Sequence, residues 1–460
     1  MPRWNLAWLL GISGVALLGY AVSHSAPPRA KDQDYELVRL VVDAMDEVDH
    51  KYVRSLDPEA KRKLIEDMIN GGLEHLDPHS GFINSRGYKR FTLSSKGKFG
   101  GIGIQIDSDR PNGERYLTVV SPMVDTPAYE AGVLAGDVIL KIDGKTTENM
   151  FLFEAIDMIT GEPGRKVVLT ILHQGAKEPV DLQITRAEIE VPSVLGDSRK
   201  PGHAKEWDYF IDKSDKIAYV RLVNFSENTA AELRRTLEEL KKEGLRGLVL
   251  DLRANPGGLL RSAVEVCRMF LTEGRIVATK GREQQEEAYD ARADGAVLVP
   301  AKQFPIAVLV NRLSASASEI VAAALQDHNR AVIVGERSYG KGSVQNIIEM
   351  ENHTSALKLT TASYWRPSGK NIHRFPDSKD TDEWGVRPNA GFEVKVTPAE
   401  QHDYYQNRRQ RDIVRDKGSV TPPPAKIDET KDKENKPFVD RVLQKALDYL
   451  RGEIHKVART

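Results

Sequence analysis

The chain has a single cysteine, Cys267, in 460 residues. That excludes an intramolecular disulfide framework and any multi-cysteine metal site. The flanking sequence SAVEVCRMFL has helical periodicity, so this thiol is expected to be buried and inert rather than nucleophilic. An excess of either charge is also missing. With 66 basic and 67 acidic residues the net charge is -1, which gives no electrostatic footprint for nucleic acid. The 11 histidines fall in no HExxH motif, no serine lies in a GxSxG motif, and no internal repeat is evident. Metalloprotease, nucleophile-elbow hydrolase and solenoid readings are thereby disfavoured.

What is present begins at the amino terminus. Trp4 to Val22 is an uncharged, mostly apolar run of 19 residues behind Arg3, followed by the polar stretch HSAPPRAKDQD. This has the length and flanks of a membrane anchor or of a long signal-peptide core, and no clean A-x-A cleavage site follows it. An uncleaved anchor is the preferred reading. The body of the protein is expected outside the cytoplasm, periplasmic and membrane-anchored, or secreted if the segment is removed.

Organisation then changes four times along the chain. Residues 1–30 form the signal or anchor, and 31–97 carry helical periodicity (YELVRLVVDAMDEVDHKYV, EAKRKLIEDMINGGLEHL) that predicts a small helical domain. His75 and His79 flank Asp77 four residues apart, but Pro78 breaks the helix that would set both imidazoles on one face. LDPHS is therefore read as a structural turn, and no metal site is expected. Residues 98–186 switch to short alternating strands with glycine turns, interrupted by the helix FLFEAIDMIT, and 187–400 alternate apolar strands with helices as a layered α/β core does. Residues 401–460 read as a charged linker (TPPPAKIDETKDKENKP) and one amphipathic helix, FVDRVLQKALDYLRGEI.

Three loops of the core have chemical potential, each following a strand. In LRGLVLDLRANPGG, the adjacent Gly257 and Gly258 let the backbone approach a ligand and aim N–H groups at it. An ordinary strand-to-helix turn would look the same. FPIAVLVNRLSASASEIVAAALQDH sets hydroxyls at a helix amino terminus, where unpaired amides favour developing negative charge. Ser314, Ser316 and Ser318 all qualify, and spacing does not choose among them. RAVIVGERSYGKGSVQ has the glycine and lysine spacing of a phosphate loop, yet Gly342 stands where that motif needs a hydroxyl and a strand follows in place of a helix. What remains is Lys341 between two glycines beside apolar sequence, where desolvation would favour a neutral amine.

Upstream, KFGGIGIQI followed by SPMVDTPAYEAGVLAGDVILKIDGKT resembles a PDZ domain of the bacterial protease type. Its Gly101-Ile102-Gly103-Ile104 loop can gather N–H groups around a free carboxylate while a peptide adds as a strand beside it. Together with SASASE, YGKGSVQ and DLRANPGG, in that family's order, the chain from about residue 35 to 396 resembles the carboxy-terminal processing peptidases, the tail-specific serine proteases of family S41. The resemblance implies a multidomain α+β protein with a protease core of the ClpP/crotonase-like type, an inserted mostly-β PDZ domain and the N-terminal helical domain. It makes Ser316 the nucleophile, Lys341 the general base 25 residues later, and Gln345 the residue that orients the lysine. It assigns the oxyanion hole to amides of Gly257 or Gly258 and of Ala317. No cofactor is implied. The expected partners are protein or peptide substrates with free, apolar carboxyl ends, the membrane through the N-terminal segment, and a second copy of the chain through the helical region. An anchored PDZ scaffold on an inactive protease fold is the alternative, disfavoured by the intact Ser316, Lys341 and Gln345.

Overall fold

The computed structural model describes residues 31–107, 116–200, 203–282, 285–301, 303–414 and 438–457. The Trp4 to Val22 segment and the proline-rich part of the charged linker lie outside the described residues. Among those described, no helix is long and apolar enough to cross a membrane.

The chain divides into two units, residues 1–75 and 76–460. In the first, helices Lys31–Lys51 and Pro58–Glu74 are joined by a short turn. Asp57 starts the second helix by accepting the Ala60 N–H at 2.8 Å ahead of a proline at the first position, and Lys61 ion-pairs with Asp49. Gly71 and Gly72 do not end this helix, which runs on to Glu74. Leu37, Val38, Leu40 and Val42 are all exposed.

The second unit is built around a sheet in the order Val194–Leu195, Ile217–Leu222, Gly247–Asp251, Ile306–Val310, Val332–Gly335. The last four strands are parallel and almost wholly apolar, as strands covered on both faces must be. Side chains alternate between the faces. Ala218, Val220, Leu248, Leu250 and Val308 pack under helices Thr229–Lys242, Leu260–Arg268 and Ala317–Asp327. Ile217, Tyr219, Val249 and Leu309 pack against Val442, Ala446, Leu450 and Ile454 of the carboxy-terminal helix Arg441–Val457. Cys267 is fully buried in the first layer, and burial pushes its thiol well above the ordinary range.

A second sheet carries the lysine loop. Its order is Gly81–Ile83, Ser355–Trp365, Arg275–Gly281, Glu286–Asp290, with Ser343–Met350 forming a hairpin on Ser355–Trp365. This corrects the sequence reading of 31–97 as one helical domain. Gly81–Ile83 pairs with Ala356–Lys358, so the chain from Leu76 onward belongs to the second unit. Three residues of strand are too few to show a periodicity.

The module at 98–186 hangs on a two-stranded stem, in which Lys98–Gly101 pairs antiparallel with Ala187–Glu190. Beyond it, strands Ile104–Asp107, Leu117–Pro122, Val138–Ile142, Lys166–Leu172 and Val180–Thr185 form one sheet in that order over a separate apolar core of Ile102, Leu117, Ile139, Leu169 and Ile171.

The charged tail holds a second correction. Residues read as linker from 401 lie in the helix Pro398–Asp412, opened by a capping box in which Thr397 Oγ1 accepts the Glu400 N–H and Glu400 accepts the Thr397 N–H. The T-P-A-E signal was legible, but the helix has almost no apolar periodicity. It works through charge. Arg408 and Arg411 bind Asp197, and Asp412 binds Arg221 at 2.7 Å, all on the core. Arg409 reaches Asp107 and the Val414 N–H donates to Ser121 Oγ at 3.1 Å, both on the inserted module. The helix is a strut between the two.

Candidate active site

The strand Gly247–Asp251 leaves its sheet into a loop that is anchored before it turns. Buried Asp251 accepts the Tyr219 hydroxyl at 2.6 Å and takes Arg253 at 2.7 Å, while Arg253 also reaches Asp440 at 2.9 Å. Burial pushes the Asp251 carboxyl up, but the Arg253 charge and hydrogen bonds outweigh it and hold the group below the usual range. Asn255, fully buried, donates to Leu222 O at 2.7 Å and accepts the Gly257 N–H at 2.9 Å. Gly257 has φ +99°, and a Cβ there would lie 2.8 Å from Ser316 Cβ and 2.9 Å from Ala317 N. Only glycine lets this backbone lie against the serine turn.

That turn follows the strand Ile306–Val310. Ser314 Oγ donates to Leu252 O at 2.8 Å and Ser318 Oγ to Asn255 O at 3.0 Å, so both hydroxyls tie the turn to the Asn255 loop. Ser316 differs. It sits at φ +55°, ψ -114°, just ahead of helix Ala317–Asp327, in a conformation costly for a residue with a side chain. Burial pushes the nearby Tyr364 phenol up to about 12, with the Ser316 hydroxyl opposing that rise. Among the described residues, the amides of Gly258 and Ala317 have no hydrogen-bond acceptor, whereas that of Gly257 is taken by Asn255.

The lysine loop is joined to the serine turn by a buried carboxylate. Glu319 accepts from the Ser316 N–H at 2.8 Å, the Lys341 N–H at 2.8 Å, the Gly340 N–H at 2.6 Å and the Ser338 hydroxyl at 2.5 Å. Burial pushes its carboxyl up to about 7 against those four donors, which favour the charged form. Gly340 and Gly342 bring the loop against Arg374 and His373, where a Cβ at Gly342 would stand 2.2 Å from the His373 nitrogen. Lys341 is held below its ordinary value, first by burial and then by the Lys358 charge, with Glu319 and Asp77 opposing. Gln345 donates to Ser343 Oγ at 2.8 Å and to Thr360 Oγ1 at 3.3 Å. Among the described residues no hydrogen bond joins Lys341 Nζ to Ser316 Oγ or to Gln345.

The sequence reading brought Ser316, Ala317, Gly257 and Lys341 into consideration, and the fold draws their loops together. It overlooked Glu319 and Tyr364. The first has a local signal, since S-x-x-E from Ser316 to Glu319 is a capping-box pattern. The second has none, because a strand residue 48 positions later reaches Ser316 only through the fold.

In the inserted module, Ile102 is fully buried and Gly103 has φ +80°. The Gly103 carbonyl accepts from the Met123 N–H at 2.8 Å and Thr126 Oγ1 at 3.1 Å. Ile104–Asp107 is the edge strand of its sheet among the described residues, and Ile104 and Ile106 pack on the same apolar cluster as Leu152 and Met158 of helix Leu152–Ile159.

Residues 216–389 match the model of peptidase family S41, and residues 118–172 match that of a PDZ domain. A carboxy-terminal-processing protease of Bartonella bacilliformis is 37% identical over 456 residues, covering 97% of this chain and 96% of the relative. A carboxyl-terminal-processing protease of Synechocystis sp. is 33% identical over 353 residues, covering 76% and 77%. Among solved structures, the photosystem II D1 C-terminal processing protease covers 76% of this chain and 85% of its own, with 29% identity and a TM-score of 0.41. Over nearly its whole length, then, this chain belongs to peptidase family S41, as a serine-type protease of the carboxy-terminal-processing group.

Proposed function

We propose that the chain is an endopeptidase acting near the carboxyl ends of proteins, with Ser316 as nucleophile and Lys341 as general base. The observation that carries this reading is the contrast among the three serines. Ser314 and Ser318 spend their hydroxyls on backbone carbonyls, while Ser316 holds a strained φ of +55° against Gly257 at a helix start. The neutral Lys341 amine takes the Ser316 proton as Oγ attacks the scissile carbonyl carbon. The oxyanion is held by the Ala317 amide and, since Gly257 is engaged by Asn255, by that of Gly258. The lysine ammonium then protonates the leaving amine, and water releases the acyl group by the reverse sequence. Gln345 orients the lysine. The layered core around this site is of the ClpP/crotonase-like type.

The amine and the serine must meet for this chemistry, and we assign their approach to substrate binding at the PDZ module. The substrate's carboxylate is held by the Gly101–Ile104 loop and its last residues add as a strand to Ile104–Asp107, with an apolar side chain between that strand and helix Leu152–Ile159. Charge-assisted hydrogen bonds of this kind are worth about 1.5–3 kcal/mol. Amidating the carboxyl end of a model peptide is therefore expected to raise KM by about 10- to 100-fold. Equal KM for the acid and the amide would refute carboxylate recognition.

The pH profile tests the base. Activity is expected to rise through about 7, where Glu319 becomes charged and can accept all four of its donors. It then rises again through the titration of a lysine held below its ordinary value. Glu319→Gln, which cannot accept at its nitrogen, should lower kcat and erase the first inflection while keeping the second. A flat kcat/KM profile from acid to alkaline pH would eliminate a lysine base.

A further inference from the structure

The LDPHS turn does more than turn. Asp77 Oδ1 accepts the N–H of His79 at 2.7 Å, the N–H of Ser80 at 2.9 Å and the hydroxyl of Thr360 at 3.1 Å, and Oδ2 accepts the Ser80 hydroxyl at 2.6 Å. Ser80 Oγ in turn accepts the Thr360 N–H at 3.0 Å, so the turn is fastened to the strand Ser355–Trp365 at one residue. Burial raises the Asp77 carboxyl, but the bonds from Ser80, His79 and Thr360 together outweigh it and keep the group below its ordinary value.

A charged carboxylate has no proton to give. The Thr360 hydroxyl is therefore the donor toward Asp77, and its oxygen is left as an acceptor on the other side. Gln345 stands opposite Thr360 in the hairpin register, next to a bulge at Val344/Gln345. Its Nε2 donates to Thr360 Oγ1 at 3.3 Å and to Ser343 Oγ at 2.8 Å. Both Nε2 hydrogens are thus used. Flipping the carboxamide would set its oxygen against the lone pairs of Thr360. The direction of both successive bonds is fixed from Asp77 outward, and the carboxamide oxygen is the side-chain atom of Gln345 left to accept.

We propose that Asp77, acting through the Thr360 hydroxyl, sets the polarity of the Gln345 carboxamide so that Oε1 is offered to the Lys341 amine. Asp77 and Thr360 are positioning residues, and the inference rests on Lys341 being the base. The Asp77 charge acts on Lys341, and the Lys341 charge acts on His79, so the turn lies within electrostatic reach of the lysine.

The test uses the full chain and a peptide with a free apolar carboxyl end. Thr360→Val keeps the shape and the bond from its N–H to Ser80 Oγ but removes the hydroxyl. Because misplacing a reacting group by about 1 Å can cost about 10²-fold, this variant is expected to lose kcat by that order with KM and melting temperature unchanged. Thr360→Ser should restore kcat to within a few-fold. Gln345→Ala should lose a similar factor, and the double variant Thr360→Val/Gln345→Ala should lose no more than Gln345→Ala alone. Asp77→Asn, whose amide can turn a donor toward Thr360, should behave as Thr360→Val does. Wild-type kcat in Thr360→Val, no rescue by serine, or multiplicative losses in the double variant would each overturn the relay. Failure of the underlying reading has a different signature, since Ser316→Ala and Lys341→Ala would then keep turning over.

Discussion

Ser316→Ala is expected to lower kcat by about 10⁶-fold, the order seen when a serine protease nucleophile is removed, with little change in thermal stability. The N–H of residue 316, which binds Glu319 and so joins the serine turn to the lysine loop, survives in alanine. The neighbouring serines should show the reverse. Ser314→Ala strands the buried Asn311 N–H, which donates to Ser314 Oγ, at a cost of about 1–3 kcal/mol, and Ser318→Ala takes from Asn255 O one of its two donors, at about 0.5–1.5 kcal/mol, while both retain turnover. Peptide cleavage and thermal unfolding of the three variants, with Lys341→Ala as a companion to Ser316→Ala, read both effects at once. A variant at Ser314 or Ser318 that stays folded and loses all turnover, beside an active Ser316→Ala, would move the nucleophile.

The second large effect is on stability. Arg253→Ala strands two carboxylates, Asp251 with a side chain 1% exposed and Asp440 with one 14% exposed. Breaking a buried pair in this way costs about 3–5 kcal/mol. The loss has a direction in the fold, because Asp440 also accepts the Leu443 N–H and so starts the carboxy-terminal helix, and the guanidinium stands 4.3 Å from the Tyr404 ring of the strut helix. The helix Arg441–Val457 should therefore become protease-sensitive at temperatures where the wild type is not, and activity should fall with it, since Arg253 lies two residues before Asn255. Equal melting temperature and unchanged proteolysis would show that this network does not hold the carboxy-terminal segment.

The parallel strands were legible because they are covered on both faces and so read as unbroken apolar runs. The serine and lysine loops were legible because glycines and small residues concentrate where backbones meet. The groups that join these loops were not. Glu319 looks like an exposed helix carboxylate, yet it is buried and binds Lys341, 22 positions away. Asp77 and Thr360 meet across 283 positions, and nothing in either neighbourhood announces the other. Local pattern reports what a segment does to itself. It is silent about which polar atoms will share a proton after the chain has closed. The helix Pro398–Asp412 was missed for a related reason: its charges are specific partners, but in sequence they look like solvation.

That same helix bears on how the molecule could be rebuilt. A PDZ domain transplanted from another protein could be spliced into the two-stranded stem, since both ends of the insertion sit side by side there. The foreign module would lack counterparts of Asp107 and Ser121, and Arg409 and Val414 would face a surface that does not answer them. A working chimaera would need those two positions carried over with the stem.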